Sequence, residues 1–433
     1  MQFQGNQTVS RRKFLAAATA AGAAWAAPTF VPAKALGRDG AVAANDRIIV
    51  GGIGLGNRGT YVLSCFLPEP DVQFVAIADA KAARRAAIKK IVDDKYGNTA
   101  CATYVDFREL LDRADIDAVL IATGPNWHAS ASMVAALAGK DIYCEKPSTR
   151  NIAQSLLLAE TIRRTARVFQ AGTQRRSLPH FAFAVELART GKLGKLKAVH
   201  AHPSPWDNSV KTSGWLPAEP QPPESEINWD LYLGPAAWRP YNPAVANRGG
   251  EFEKGGGMVG GGVLEWGSHC VDLCQWAANA DHTAPIEYHP RTPDKRSTAV
   301  YASGTELVIR EDGWLPLGSC PVRFEGETGW VEAGDSGRLI VSSPALLAGK
   351  RVAEIGGYPA TYHVRNFLDC VKTRALPVAN ADVACNSHIA CHASNIAIFL
   401  DRTLKYDPEK HVFLDDDEAN RLRGEALREP WRM

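Results

Sequence analysis

The sequence predicts a two-part α/β protein. A doubly wound parallel sheet comes first, then a second α/β domain on an open, largely antiparallel sheet. Two observations carry this. Between about 46 and 173, short apolar, β-branched runs alternate with helical patterns, as βαβ units require. From 196 onward longer strands appear, a series that suggests an open, largely antiparallel sheet.

The elements follow in order. Residues 48–50 with Ile53 suit a buried parallel strand. Strand 72–78, helix 81–96, strand 117–123, helix 128–140, strand 141–146, helix 151–166 and strand 167–173 complete the first half. In the second half, strands are expected at 196–203, 297–310, 321–334 and 338–343, and helices at 360–374 and 383–402. Residues 204–256, rich in Pro, Trp, Gly and Asn, form a long excursion, a length associated with function or disorder.

Residues 1–35 belong to neither domain. Ser10-Arg11-Arg12-Lys13-Phe14-Leu15 leads into an alanine-rich stretch too short to span a bilayer, which ends at an Ala33-Lys34-Ala35 cleavage pattern. This is the pattern of a twin-arginine signal, which implies export of an already folded protein to the periplasm. The division expected is therefore 1–35, 46–173 and 174–433. Of the 433 residues, 45% are hydrophobic and 22% charged, as in globular proteins. Without the four basic residues of the first 35, the net charge is −2 rather than +2, which gives no electrostatic case for nucleic acid. The nine cysteines are scattered and are expected as buried small apolar side chains.

Gly54-Leu55-Gly56-Asn57-Arg58-Gly59 follows a strand and opens a helix, and Asp79 ends the next strand. In this context G-x-G-x-x-G is a dinucleotide fingerprint. The glycines admit the pyrophosphate to the backbone, with Asn57 and Arg58 in the same turn, and the helix N-terminus stabilises its charge. Asp79 would accept the ribose hydroxyls and repel a 2′-phosphate, which favours NAD. Lys81, Arg84 and Arg85 weaken that preference, so NADP stays open. Asn126 and His128 follow strand 117–123 at the ligand-binding edge of such a sheet. Asn126 is placed to face the nicotinamide; turn formation and helix capping are the alternative uses of both.

Two stretches suggest chemistry: Tyr143–Ser148, which contains Glu145-Lys146-Pro147, and the segment 260–276. On a helix, Glu265, His269 and Asp272 share one face. A histidine flanked by a carboxylate can take a hydroxyl proton. A buried lysine beside the substrate oxygen stabilises developing negative charge.

Together, the fingerprint, Glu-Lys-Pro and the acid–x–x–x–His–x–x–Asp helix resemble the glucose–fructose oxidoreductase / inositol dehydrogenase / rhizopine-catabolism (Gfo/Idh/MocA) family. The resemblance extends to "WDLYLGPAAWRPYNP" (229–243) and the "REPW" ending, which look like an exported branch. It implies a Rossmann domain, a C-terminal domain often used for oligomerisation, and NAD(P)-linked oxidation or reduction of sugars and cyclitols. Carried over, Lys146 is the Glu-Lys-Pro lysine, binding cofactor and substrate oxygen with Glu145 beside it. His269 is the acid/base, held by Glu265, which stands where the family has Asp, and Asp272 is the acid one turn on. Gln174, Arg175, Arg176 and His180 are expected to line the substrate pocket. Trp206, Trp215 and Tyr241 are sugar-stacking faces, with loop packing as the alternative.

Free NAD is scarce outside the cytoplasm, so an exported enzyme of this kind would carry its cofactor out already bound. Three rival functions remain: glycoside cleavage through transient oxidation, non-catalytic NAD or sugar binding, and a metal enzyme using His388, Cys391 and His392. The last trio suits helix packing better, and no metal is expected.

Overall fold

The computed structural model describes residues 42–203, 216–248, 262–347, 349, 352, 353 and 355–431. The chain divides into two units, 1–47 and 48–433. The expected signal, 1–35, lies outside the described residues; the described part of the first unit holds a 3-10 turn, Ala44–Asp46.

In the second unit the chain runs β1 (Ile48–Ile53), α1 (Asn57–Phe66), β2 (Val72–Ala78), α2 (Ala82–Tyr96), β3 (Ala102–Tyr104), α3 (Phe107–Leu111), β4 (Ala118–Ile121), α4 (Pro125–Leu137), β5 (Asp141–Cys144), α5 (Ile152–Thr165) and β6 (Phe169–Ala171). The strands lie side by side as β3-β2-β1-β4-β5-β6, all parallel. β4 and β5 are buried along their whole length, as strands covered on both faces must be. The order reverses between β1 and β4, and that switch point opens a crevice at the strands' C-terminal ends. β3 and α3 have no counterpart in the sequence reading. β3 is a three-residue edge strand, half-exposed, and carries no apolar run.

The chain continues through α6 (Pro179–Arg189), β7 (Leu196–Ala201), α7 (Trp229–Leu233), α8 (Pro243–Arg248), α9 (Val263–Ala277), β8 (Glu287–Tyr288), β9 (Ser297–Val300), β10 (Glu306–Ile309), β11 (Val322–Gly326), β12 (Trp330–Ala333), β13 (Leu339–Val341), α10 (Thr361–Thr373), α11 (Ala381–Leu400), β14 (Leu404–Asp407), β15 (Val412–Phe413) and α12 (Asp417–Arg421). The described strands form a nine-stranded sheet, β13-β12-β11-β7-β10-β9-β8-β14-β15. β7 and β10 are parallel, and the other paired neighbours are antiparallel.

The expected long strands 297–310 and 321–334 are each a hairpin. In the first, the turn holds Gly304 at φ +82°, a backbone region that side-chain-bearing residues avoid. α10 packs into the core of the first domain, where Phe367 meets Phe66 and Tyr143 edge-on at 6.2 and 5.9 Å. α11 packs between α9 and α5. All nine cysteines are buried and unpaired.

Candidate active site

β1 delivers the chain to Gly54 at φ +65°, where an added Cβ would lie 2.2 Å from Thr123 Cγ2. Gly59 sits close under Ala122, where an added Cβ would lie 2.9 Å from the Ala122 Cβ. Gly56 differs, because a Cβ there would meet nothing within 4 Å: this glycine borders open space. It caps α1 without any side-chain acceptor, so the helix's first N–H groups remain available to an anion. The space is a cavity of about 430 Å³, bordered by the glycine turn, Asn57, Arg58, Asp79, Thr123 and Asn126, with Tyr232 on its far wall.

Asp79 accepts the Lys81 backbone N–H at 2.9 Å, and burial pushes its carboxyl above the ordinary range. The three nearby cations are occupied. Lys81 donates to the Ala246 carbonyl and lies 5.2 Å over the Tyr232 ring. Arg84 bonds Asn57 Oδ1 at 3.1 Å, and Arg85 bonds the Asp79 carbonyl at 2.5 Å. Glycine turn, uncapped helix end and carboxylate together fit an adenine dinucleotide.

Asn126 and His128 both make structural hydrogen bonds at this edge. Asn126 Nδ2 donates to the Tyr232 and Leu233 carbonyls at 3.2 and 2.8 Å, although the residue borders the cavity. Buried His128 faces the carbonyls of Pro147 (2.7 Å) and Thr123 (3.0 Å), and burial lowers its pKa.

Arg58 links the cavity to the second cluster. Its Nε bonds Glu145 Oε1 at 3.0 Å, and Glu145 Oε2 accepts the Lys146 backbone N–H at 3.2 Å. Oriented to satisfy both neighbours, the Gln174 amide donates to the Gly172 carbonyl and accepts from Arg58 Nη2 at 2.7 Å. Lys146 Nζ donates to Glu265 twice, to its carbonyl at 2.9 Å and its Oε1 at 3.0 Å.

The expected Glu265–His269 pair therefore does not form. Glu265 turns to the ammonium of Lys146, a full opposite charge and a stronger partner than a neutral imidazole. His269 is 3% exposed, and its Nδ1 has no hydrogen-bond partner among the described residues. Burial, then the nearby charges of Arg175, Lys146 and Arg58, hold its pKa well below 6.5. It is a neutral base.

Asp272 is also placed elsewhere. It forms a buried two-pronged pair with Arg176 (2.6 and 2.9 Å) and accepts from Ser387 at 2.7 Å. Arg176 further bonds Asp281 at 2.7 Å, so these buried pairs engage its guanidinium with helix and core. His180 is fully buried, with Nε2 against the Gly334 carbonyl (3.1 Å) and its ring on Phe181, and it is not among the residues bordering the cavity. Tyr241 packs edge-on against Trp229 at 5.1 Å, the loop-packing alternative. Trp206 and Trp215 lie outside the described residues. His388 has both nitrogens engaged: Ser148 N–H donates to Nε2 (3.1 Å) and Nδ1 donates to the Ala384 carbonyl (2.5 Å).

Arg175 stays at the site. Asp335 holds its Nε and Nη2 at 2.8 and 2.6 Å, while Nη1 is buried without a partner. Two residues missed by the sequence reading organise this cluster. Trp266 lies 5.5 Å from Lys146 Nζ, 5.8 Å from the Arg175 guanidinium and 6.3 Å from the His269 ring. Tyr358, largely exposed, stands 4.9 Å over Arg175 and 5.7 Å over Arg58. Trp266 was legible as the residue after Glu265; no local signal marks Tyr358.

A dinucleotide crevice at a sheet switch point, beside a neutral histidine and a paired lysine, defines a nucleotide-dependent α/β oxidoreductase class. Two family descriptions match this chain: "Oxidoreductase family, NAD-binding Rossmann fold" over residues 48–173 and "Oxidoreductase family, C-terminal alpha/beta domain" over 187–433. The chain belongs to the Gfo/Idh/MocA oxidoreductase family. A glycosyl hydrolase family 109 protein of Saccharopolyspora erythraea is 34% identical over 173 residues, 36% of this chain and 38% of its own. The scyllo-inositol 2-dehydrogenase (NAD(+)) of Bacillus subtilis is 30% identical over 150 residues, 33% of this chain and 40% of its own. The matched region thus spans less than half of these relatives. Scyllo-inositol dehydrogenase from Lactobacillus casei, solved with NAD(H) and scyllo-inositol, shares the fold at TM-score 0.56 and 16% identity, covering 83% of this chain and 99% of its own.

Proposed function

We propose that this protein transfers hydride between a hydroxyl-bearing carbon of a sugar, glycoside or cyclitol and a tightly bound NAD. The observation that carries the reading is His269, buried, neutral and unpaired at Nδ1, held with Lys146 against Trp266 next to the glycine-turn cavity. Gly54, Gly56, Gly59 and the α1 N-terminus would hold the pyrophosphate, and Asp79 the ribose. NAD is preferred over NADP because Lys81 and Arg85 are committed to backbone carbonyls and Arg84 to Asn57.

Bound NAD+ supplies the hydride acceptor. His269 takes the substrate's hydroxyl proton, and burial keeps it unprotonated for that task. Lys146 has two of its three N–H groups on Glu265, which leaves one for the substrate oxygen as negative charge develops there. Arg175 Nη1 would position a second hydroxyl, its guanidinium fixed by Asp335. In the reverse direction His269 would return the proton to the oxygen of a ketosugar whose carbonyl carbon takes hydride back from the reduced cofactor.

The twin-arginine pattern at 1–35 fits export to the periplasm after folding around the cofactor, and the open sheet of the second domain fits a homo-oligomer. The test is to isolate the exported protein without added nucleotide and record the reduced-nicotinamide absorbance before and after glucose, simple glucosides and inositol. A co-purifying dinucleotide that changes redox state supports the reading. Protein that shows no change with sugar plus NAD defeats it. The family 109 relative favours a second reading, glycoside cleavage with cofactor recycling, which would release aglycone from a glycoside without added NAD.

A further inference from the structure

Residues 226–246 return across the first domain. Lys81 and Ile227 pair as an antiparallel bridge; Ala82 N–H donates to the Glu226 carbonyl (2.9 Å) and Asn228 N–H to the Ala80 carbonyl (3.0 Å). This stitches the segment beside Asp79. α7 then lies along the cavity, whose wall includes Leu231 and Tyr232 as well as Ala246. Trp127, on the opposite side, donates Nε1 to the Leu231 carbonyl at 2.7 Å.

The C-terminal tail, "REPW", fastens that segment from behind. Arg428 donates to Asp230 Oδ1 (2.5 Å), the Asp230 carbonyl (3.0 Å) and the Gly234 carbonyl (3.1 Å). Trp431 Nε1 bonds Asp230 Oδ2 at 3.2 Å, and its ring meets Trp127 edge-on at 5.3 Å, with Arg108 over its face at 5.0 Å. Trp127 itself borders the cavity. Trp127 and the α7 segment, both bordering the cavity, are thus tied to the same tail residues from the far end of the chain.

We propose that residues 226–246 and the tail 428–431 form a clasp over the Asp79 end of the cavity, latched by Arg428 and Trp431, so that a bound adenine dinucleotide leaves only when the latch opens. The inference rests on the NAD reading and explains how a cofactor would stay in place without a supply around it. An open crevice gives no such retention, because its ligand exchanges with solution at every dissociation.

The test uses the full chain loaded with NAD. Dissociation is followed by displacement into nucleotide-free buffer for the wild type, Trp431→Ala, Arg428→Ala and the conservative Trp431→Phe, alongside melting temperatures of the nucleotide-free forms. Loss of the ring contact and hydrogen bond should speed release about tenfold, with a smaller change for Trp431→Phe and little change in the nucleotide-free melting temperature. Release at the wild-type rate in the variants overturns the clasp and leaves the NAD reading standing. Failure of the wild type to bind NAD at all overturns both. Should a tail variant not fold, Asp230→Asn decides the matter, since this exposed side chain meets both latch residues.

Discussion

At the scale of single residues, the site separates groups poised for chemistry from groups that hold it still. His269 is neutral because it is buried and the charges of Arg175, Lys146 and Arg58 lie nearby, and its Nδ1 has no hydrogen-bond partner among the described residues. His269→Asn should lower kcat by roughly 10²–10⁴-fold, the usual contribution of a positioned general base. The acidic limb of kcat/KM should lie well below pH 6.5. A limb at or above that value would make some other group the base. The sequence revealed His269 and Lys146 as a type and a spacing, but not their partners. Glu265 lies four residues before His269, yet it pairs with Lys146, 119 residues away; Asp272 pairs with Arg176, 96 residues away. Spacing on a helix shows which Cβ atoms are neighbours. The partner is then chosen by charge arriving from distant segments, which no local pattern records.

At the scale of elements, the first domain was legible almost strand by strand because a parallel sheet buried on both faces writes itself as continuous apolar runs. The second was legible in outline only. Its hairpins were read as single long strands, since the tight turns around Gly304 and Gly329 interrupt the alternation for only a few residues. Helix α9 carries Glu265, Trp266 and His269, and its placement depends on α11. Gly267 admits Cys391 so closely that an added Cβ would lie 3.0 Å from its sulfur, and Asn395 Oδ1 accepts the first N–H of α9, that of Val263, at 3.0 Å. Asn395→Ala removes that buried acceptor and should cost about 1–3 kcal/mol. Urea unfolding should show a lower midpoint at unchanged slope. A midpoint equal to the wild type's would mean that helix packing alone seats α9.

At the scale of the whole molecule, the same burial that prepares the site makes the fold sensitive to acid. His363, His388 and His392 are buried in the interior, and burial holds their pKa values at about 4, about 4 and about 3. Two of them stitch elements together. His363 accepts from the Ser177 hydroxyl and donates to the Ala171 carbonyl, joining α10 to the first sheet; His388 accepts the Ser148 N–H, joining α11 to the loop that carries Lys146. In the unfolded chain each would titrate near its ordinary value of about 6.5. As pH falls from there toward 4, the unfolded state therefore binds protons that the folded state refuses. Stability must drop in that window, and above pH 6.5 these groups add no pH dependence. These three protons alone contribute a loss of roughly 4 kcal/mol per pH unit near pH 5. Denaturant unfolding at a series of pH values reads this slope directly. His388→Gln and His363→Gln should each reduce the measured slope by roughly 1.4 kcal/mol per pH unit, whatever they do to stability at neutral pH. A stability curve flat between pH 6.5 and 4.5 would mean that these histidines are not held neutral by the fold. The account of His269 as a ready base, which rests on the same burial, would fall with them.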